Sequence, residues 1–76
     1  MNIKILGVGC PKCRLLEENT RRALGELEIK ADVEKVTDIT RIMGYGVMFT
    51  PALVIDEKVV SSGRALSYEE IKRILG

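Results

Sequence analysis

Cys10 and Cys13 are the residues whose types and spacing most directly suggest chemistry. They are the only two cysteines in the chain and stand in the run Gly9-Cys10-Pro11-Lys12-Cys13. A thiol reacts as its thiolate, so the first question is what would stabilise a negative sulfur. Residues 3–8 read as a strand and residues 14–24 as a helix, which puts the pair where strand becomes helix. Pro11 suits a first helical turn, where its missing N–H is not needed. The unpaired N–H groups of a helix start carry partial positive charge, and Lys12 and Arg14 add more. Cys10, at or just before that start, is expected to fall from a thiol pKa of about 8.5 into the ~3.5–7.5 range of activated cysteines. Cys13, one turn further in on the packed face, is expected to be more shielded. The pair is therefore asymmetric: Cys10 attacks a disulfide and Cys13 resolves the mixed disulfide. Pro11 stiffens the turn, Lys12 projects outward, and both tune the potential.

Other uses of two close thiols stay open here. Buried cysteines can act as small apolar side chains. A zinc site within one chain normally needs four ligands, and this chain has no third cysteine and no histidine. Two thiolates alone suit Cu(I).

The remaining elements follow from periodicity. Ile3, Ile5, Leu6 and Val8, interrupted by Lys4, suit an inner strand covered on both faces. Cys13, Leu16, Thr20, Ala23, Leu24 and Leu27 recur at helical spacing. Glu17–Arg21 and Glu18–Arg22 are i,i+4 pairs assigned to the outer side, and Gly25 or the residues just after it end the helix. Residues 29–36 alternate with period two, as in a more exposed edge strand. Thr37-Asp38 opens a short helix whose apolar face is Ile39, Ile42 and Met43, stopped at Gly44. Ala52–Ile55, a turn at Asp56-Glu57-Lys58, and Val59-Val60 form a hairpin. Ser67 with Glu70 marks a capping box before a last helix carrying Tyr68, Ile71, Ile74 and Leu75. The order is βαβ, helix, ββα, with a right-handed parallel crossover at its start.

Composition bounds the function. Seventy-six residues make one domain, residues 1–76, with 46% apolar and 30% charged residues and a net charge of +1. That balance argues against electrostatic nucleic-acid binding. No apolar run approaches the roughly 18–20 residues that span a bilayer, and the N-terminus has no signal-peptide pattern. The expected location is the cytoplasm, where paired cysteines tend to be catalytic or metal-binding. The absence of His and Gln beside abundant Glu, Lys and Arg weakly suggests a thermophile.

Thr50-Pro51-Ala52-Leu53-Val54-Ile55 is the second informative stretch, because a proline entering an apolar strand must take its first residue, an edge or a bulge. With Cys10-Pro11-Lys12-Cys13 upstream and Gly63 before the last helix, the chain resembles the thioredoxin-like superfamily. The likeness is to its small, glutaredoxin-sized redox-active disulfide proteins of archaea and bacteria. The resemblance implies an α/β fold of order βαβαββα, a four-stranded mixed sheet with helices on both faces. It implies a cis Pro51 against the cysteine pair, with the Thr50 backbone pairing to an extended substrate segment. A proline packed there would hinder a chelated metal, so no metal and no cofactor are expected.

Departures narrow the expectation. Gly9 stands where full-size thioredoxins carry a tryptophan. Ser61-Ser62-Gly63-Arg64 replaces the Gly-Gly and acidic residue with which glutaredoxins hold glutathione, which counts against glutathione as a partner. Arg64 could meet a carboxylate of a small thiol or of a partner, or simply be solvated. Met43, Tyr45, Val47, Met48 and Phe49 are candidates for an apolar rim or for core. The expected function is a monomeric thiol–disulfide oxidoreductase that reduces protein disulfides and draws electrons from a thioredoxin-reductase-like donor. The rivals are a Cu(I)-binding module on the same thiols and a redox-inert thioredoxin-like adaptor.

Overall fold

Alternation in the first strand sets the architecture. A computed structural model describes every residue except Cys10. Strand β1 (Asn2–Leu6) sends Ile3 and Ile5 to one face of the sheet and Leu6 to the other. It lies between β2 (Asp32–Val36), which runs parallel to it, and the antiparallel β3 (Ala52–Ile55). Strand β4 (Lys58–Ser62) pairs with β3, for the order β2-β1-β3-β4. Helices α1 (Pro11–Glu26) and α3 (Tyr68–Leu75) cover the Ile3/Ile5 face, where Leu16, Ala23, Leu24, Leu53, Leu66 and Ile71 complete a core. Helix α2 (Ile39–Gly44) covers the opposite face through Ile42, beside Val36, Val47, Ala52 and Val54. This is the expected mixed sheet with helices on both faces.

Local chemistry explains the element ends. Strand β1 stops at Leu6, two residues before the expected Val8, and residues 7–9 bend toward the helix. Pro11 is the first residue of α1. The helix runs through Gly25 and closes with Glu28 N–H on the Gly25 carbonyl (3.3 Å) and Ile29 N–H on the Leu24 carbonyl (3.0 Å). Those two bonds form a Schellman motif, which needs a left-handed residue, and Glu28 takes that role at φ 55°. Ile29, expected to open β2, instead packs on the core beside Leu24, so β2 begins only at Asp32. Glu28→Gly removes the Cβ penalty at this position and should raise stability by roughly 0.5–1 kcal/mol in urea unfolding.

Asp38 caps α2 by accepting from Thr40 N–H at 2.8 Å. Only Ile42 of its expected apolar face is buried; Ile39 and Met43 are 63% and 67% exposed. A six-residue helix against one sheet face can bury little more than one position per turn. Ser67 and Glu70 form the capping box of α3. Arg64 donates to Glu70 at 2.9 Å, so its guanidinium serves this helix start. The β3–β4 turn has two central residues, Asp56 (φ 50°) and Glu57 (φ 67°). Two consecutive positive φ values match the twist of a tight hairpin.

That turn has a structural task. Lys4, on the α2 face of the central strand, has a side chain only 9% exposed and pairs with Glu57. Asn2 Oδ1 accepts from the same ammonium at 3.0 Å, and Tyr45 donates to Glu57 at 3.2 Å. The hydrogen bond with Glu57 holds the Lys4 ammonium above its ordinary 10.5 against burial, and the bond from Lys4 holds Glu57 below its ordinary 4.5. The Glu57 contribution is present above pH 4.5 and lost as pH falls through the folded value. The Lys4 contribution is present below pH 10.5 and lost as pH rises through its raised value. Glu57→Gln strands a nearly buried cation, whereas Lys4→Met replaces it with an apolar side chain of similar length. Thermal melts at pH 7 should therefore show the larger loss for Glu57→Gln, and both variants should flatten the acid limb.

Candidate functional site

Gly7 organises the site from beneath. It follows β1, donates its N–H to the Val36 carbonyl at 3.0 Å, and is buried. A Cβ built on Gly7 would stand 2.3 Å from Cys13 Sγ and 3.3 Å from Cys13 Cβ, far inside contact distance. The same point lies 3.8 Å from Thr50 Cβ. The end of the central strand thus lies against both the Cys13 sulfur and Thr50, and only glycine leaves room for that sulfur.

Each sequence-derived site residue can now be placed, except Cys10, which lies outside the described residues. Cys13 is disulfide-bonded and 6% exposed. It sits in the first turn of α1, with Leu16, Thr20, Ala23 and Leu24 continuing its buried face. Pro11 and Lys12 are exposed at the helix start. The Thr50–Pro51 peptide bond is cis. Thr50 is exposed and Pro51 is fully buried. The Pro51 carbonyl accepts from Gly63 N–H at 2.9 Å, and a Cβ on Gly63, whose φ is +73°, would lie 3.1 Å from Phe49 Cβ. Gly63 therefore clamps the Phe49–Pro51 segment at the end of β4.

The candidate rim divides. Val47 is core and Tyr45 is partly buried against it, bonded to Glu57. Met48 (88% exposed) and Phe49 (69%) stand out just before Thr50, and Val8 (61%) precedes the cysteine motif. Met43, also exposed, belongs to the outer side of α2.

Beside Cys13 a cavity of about 60 Å³ is lined, among the described residues, by Ile5, Gly7, Gly9, Cys13, Arg14 and Lys35. A more open cleft of about 310 Å³ lies over Gly9, Pro11, Arg14, Leu15 and Glu18. Among the described residues, no group of three or more His, Cys, Asp or Glu side chains could hold a metal ion. No helix among them is long and apolar enough to cross a membrane.

The charge pairs on α1 differ from expectation. Glu17 does pair with Arg21, at 3.0 Å, but its side chain is only 14% exposed because it also meets Lys35 of β2 at 3.4 Å. Burial pushes the Glu17 carboxyl up, and the hydrogen bonds from Arg21 and Lys35 outweigh that push, holding it below its ordinary value. Arg22 lies over the Tyr68 ring at 4.0 Å, which ties α1 to α3. Gly7 and Lys35 line the cavity beside Cys13 and Glu17 pairs with that lysine, placements the sequence pattern did not assign. For Gly7 a signal existed: a glycine closing an apolar strand just before a cysteine motif marks a close approach.

A family model for the thioredoxin domain matches residues 1–76. The chain belongs to that family. It is 43% identical over 75 residues to a thioredoxin of Methanothermobacter thermautotrophicus, a match covering 99% of this chain and 97% of that one. It is 44% identical over 73 residues to a thioredoxin of Methanocaldococcus jannaschii, covering 96% and 84%. The chain is thus a thioredoxin-like redox protein with an α/β thioredoxin-like fold. In this thioredoxin domain, the first turn of α1 and the segment entering β3 converge on the strand end at Gly7.

Proposed function

We propose that residues 1–76, acting as one domain, form a thiol–disulfide oxidoreductase that cycles Cys10 and Cys13 between dithiol and disulfide and reduces protein disulfides. The observation that most supports this reading is the setting of Cys13. It is disulfide-bonded and nearly buried, seated in a space that Gly7 leaves for its sulfur, and Thr50 lies against the same glycine. Helix α1 begins at Pro11, the residue after Cys10 in the chain. Its free N–H groups and the exposed Lys12 and Arg14 favour a thiolate there. Cys10 is the nucleophile and Cys13 the resolving thiol. Pro11 and Lys12 shape the approach, and Thr50 and Pro51 form the wall against which an extended client segment lies. Thr50, exposed and just outside β3, fits a role in which its backbone pairs with that segment. Met48, Phe49 and Val8 supply apolar surface for the same contact.

The partners in this reading are disulfide-bearing proteins and a thioredoxin-reductase-like electron donor, with the protein acting as a monomer in the cytoplasm. Ser61-Ser62-Gly63-Arg64 counts against glutathione as a further partner, and Arg64 pairs with Glu70 at 2.9 Å.

The test equilibrates the protein in dithiothreitol buffers of graded potential and follows the cysteine pair alongside insulin reduction. A reversible two-electron couple between about −270 and −200 mV, with turnover, is the expected result. A pair that stays reduced throughout and binds Cu(I) stoichiometrically would refute the proposal.

A further inference from the structure

Three consecutive residues, Met48, Phe49 and Thr50, stand exposed between two buried ones, Val47 and Pro51. Val47 belongs to the core on the α2 side of the sheet, and the Pro51 carbonyl accepts from Gly63 N–H at 2.9 Å. The short run is therefore held at both ends. Met48 is its extreme case: it is 88% exposed, ahead of Phe49 at 69% and of the other methionines, Met43 at 67% and Met1 at 48%. The fold buries almost none of this side chain, so Met48 contributes little to the core and much to the surface beside Thr50. A methionine is flexible and polarizable, which suits contact with varied apolar partners. It is also oxidisable, and the sulfoxide turns an apolar side chain into a polar one.

We propose that Met48 is a modification site for hydroperoxides, at which oxidation to the sulfoxide weakens docking of protein clients and leaves the fold and the thiol chemistry intact. The inference rests on the oxidoreductase reading above, in which Met48 belongs to the client contact. In the step concerned, the Met48 sulfur attacks the terminal oxygen of the peroxide. An S–O bond forms, the O–O bond breaks, and the proton on the transferred oxygen passes to the leaving oxygen. The thioether loses two electrons to become the sulfoxide, and the peroxide is reduced to water or an alcohol. Access to the sulfur sets the order of reaction, so Met48 precedes Met43 and Met1. Cys13 is disulfide-bonded and presents no thiol to compete. The sulfoxide oxygen lies in water, so folding buries no new polar group. A client segment that packs on Met48 must instead strip water from that oxygen. A small disulfide reaches the cysteines without covering Met48, so the penalty falls on protein clients.

The experiment treats the disulfide form with hydrogen peroxide, maps the sulfoxides by peptide mass, then reduces the cysteines and removes the reductant. Second-order rate constants with insulin and with hydroxyethyl disulfide are compared for wild type, Met48→Leu and Met48→Gln. Met48 should be modified first. Treatment should lower the wild-type rate with insulin by about three- to tenfold, change the rate with the small disulfide by less than about twofold, and leave the melting temperature in place. Met48→Leu is apolar and holds no sulfur, so it should keep its insulin rate through the treatment. Untreated Met48→Gln should match the treated wild type. Earlier modification of Met43 or Met1, a Met48→Leu protein that slows as much as wild type, or a lowered melting temperature would overturn the proposal. Equal slowing with both disulfides would overturn it too, by placing the damage at the cysteines. A wild type inert toward both disulfides before treatment would sink the oxidoreductase reading and this inference together. An active wild type whose insulin rate survives complete Met48 oxidation would sink this inference alone.

Discussion

Gly7→Ala is expected to destabilise the oxidised protein by about 1–3 kcal/mol, the usual cost of overpacking a well-filled site. The new methyl would lie 2.3 Å from Cys13 Sγ, so either the sulfur or the strand end must move. The strand end is held by the Gly7–Val36 hydrogen bond of 3.0 Å, and the sulfur is held by its disulfide. Reduction releases the sulfur to another rotamer, so the reduced protein should lose less. Stability and redox state are then linked. Each 1.4 kcal/mol by which the oxidised form suffers more moves the potential about 30 mV toward less negative values. Denaturant unfolding of both redox forms, with the potential measured independently, checks the two numbers against each other. Equal losses in both forms would show that the methyl meets something other than the bonded sulfur.

The two cysteines should fail in different ways. Cys10→Ser should reduce insulin turnover to the background of the reducing buffer, because a serine hydroxyl cannot attack a disulfide at neutral pH. Cys13→Ser leaves the attacking thiol but removes the one that releases the client, so it should accumulate a mixed disulfide instead of product. The species is visible as a mass adduct that dithiothreitol removes. The contrast tests direction as well as involvement. Were Cys10→Ser to keep full turnover, or Cys13→Ser to trap nothing, the roles of nucleophile and resolving thiol would have to be reassigned.

Much of this fold is written locally. The alternation of Ile3, Ile5 and Leu6, the three–four spacing from Cys13 to Leu24, and the Ser67/Glu70 capping box each reflect interactions within a few residues. Such patterns are legible without a partner. Boundaries were less so. Residues 29–31 alternate like a strand, yet Ile29 serves the Schellman closure of α1, because the apolar contact with Leu24 and the two closing hydrogen bonds compete for the same segment. Met43 and Ile39 have the right spacing for a core face and lie in solvent, since the sheet offers so short a helix room for one deep contact.

The same division applies at the site. The cysteine motif, its proline, and Thr50-Pro51 at the start of β3 were visible as residue types in order, and the helix start could be placed from Pro11 within a turn. What surrounds Cys13 was not visible. Register places Ile5 opposite Lys35, so the lysine shares the α1 face and meets Glu17. A slip of one residue would send it to the α2 face. Gly7 reads equally well as a strand end or as a strictly required glycine. Only the approach of Cys13 Sγ to within 2.3 Å of its missing Cβ decides between them. The sequence by itself determined the elements, their order and the candidate cysteine pair, because short-range periodicity and side-chain chemistry carry that information. Tertiary structure alone decided which residues contact the sulfur, because those contacts depend on strand register and on backbone approaches between segments far apart in the chain.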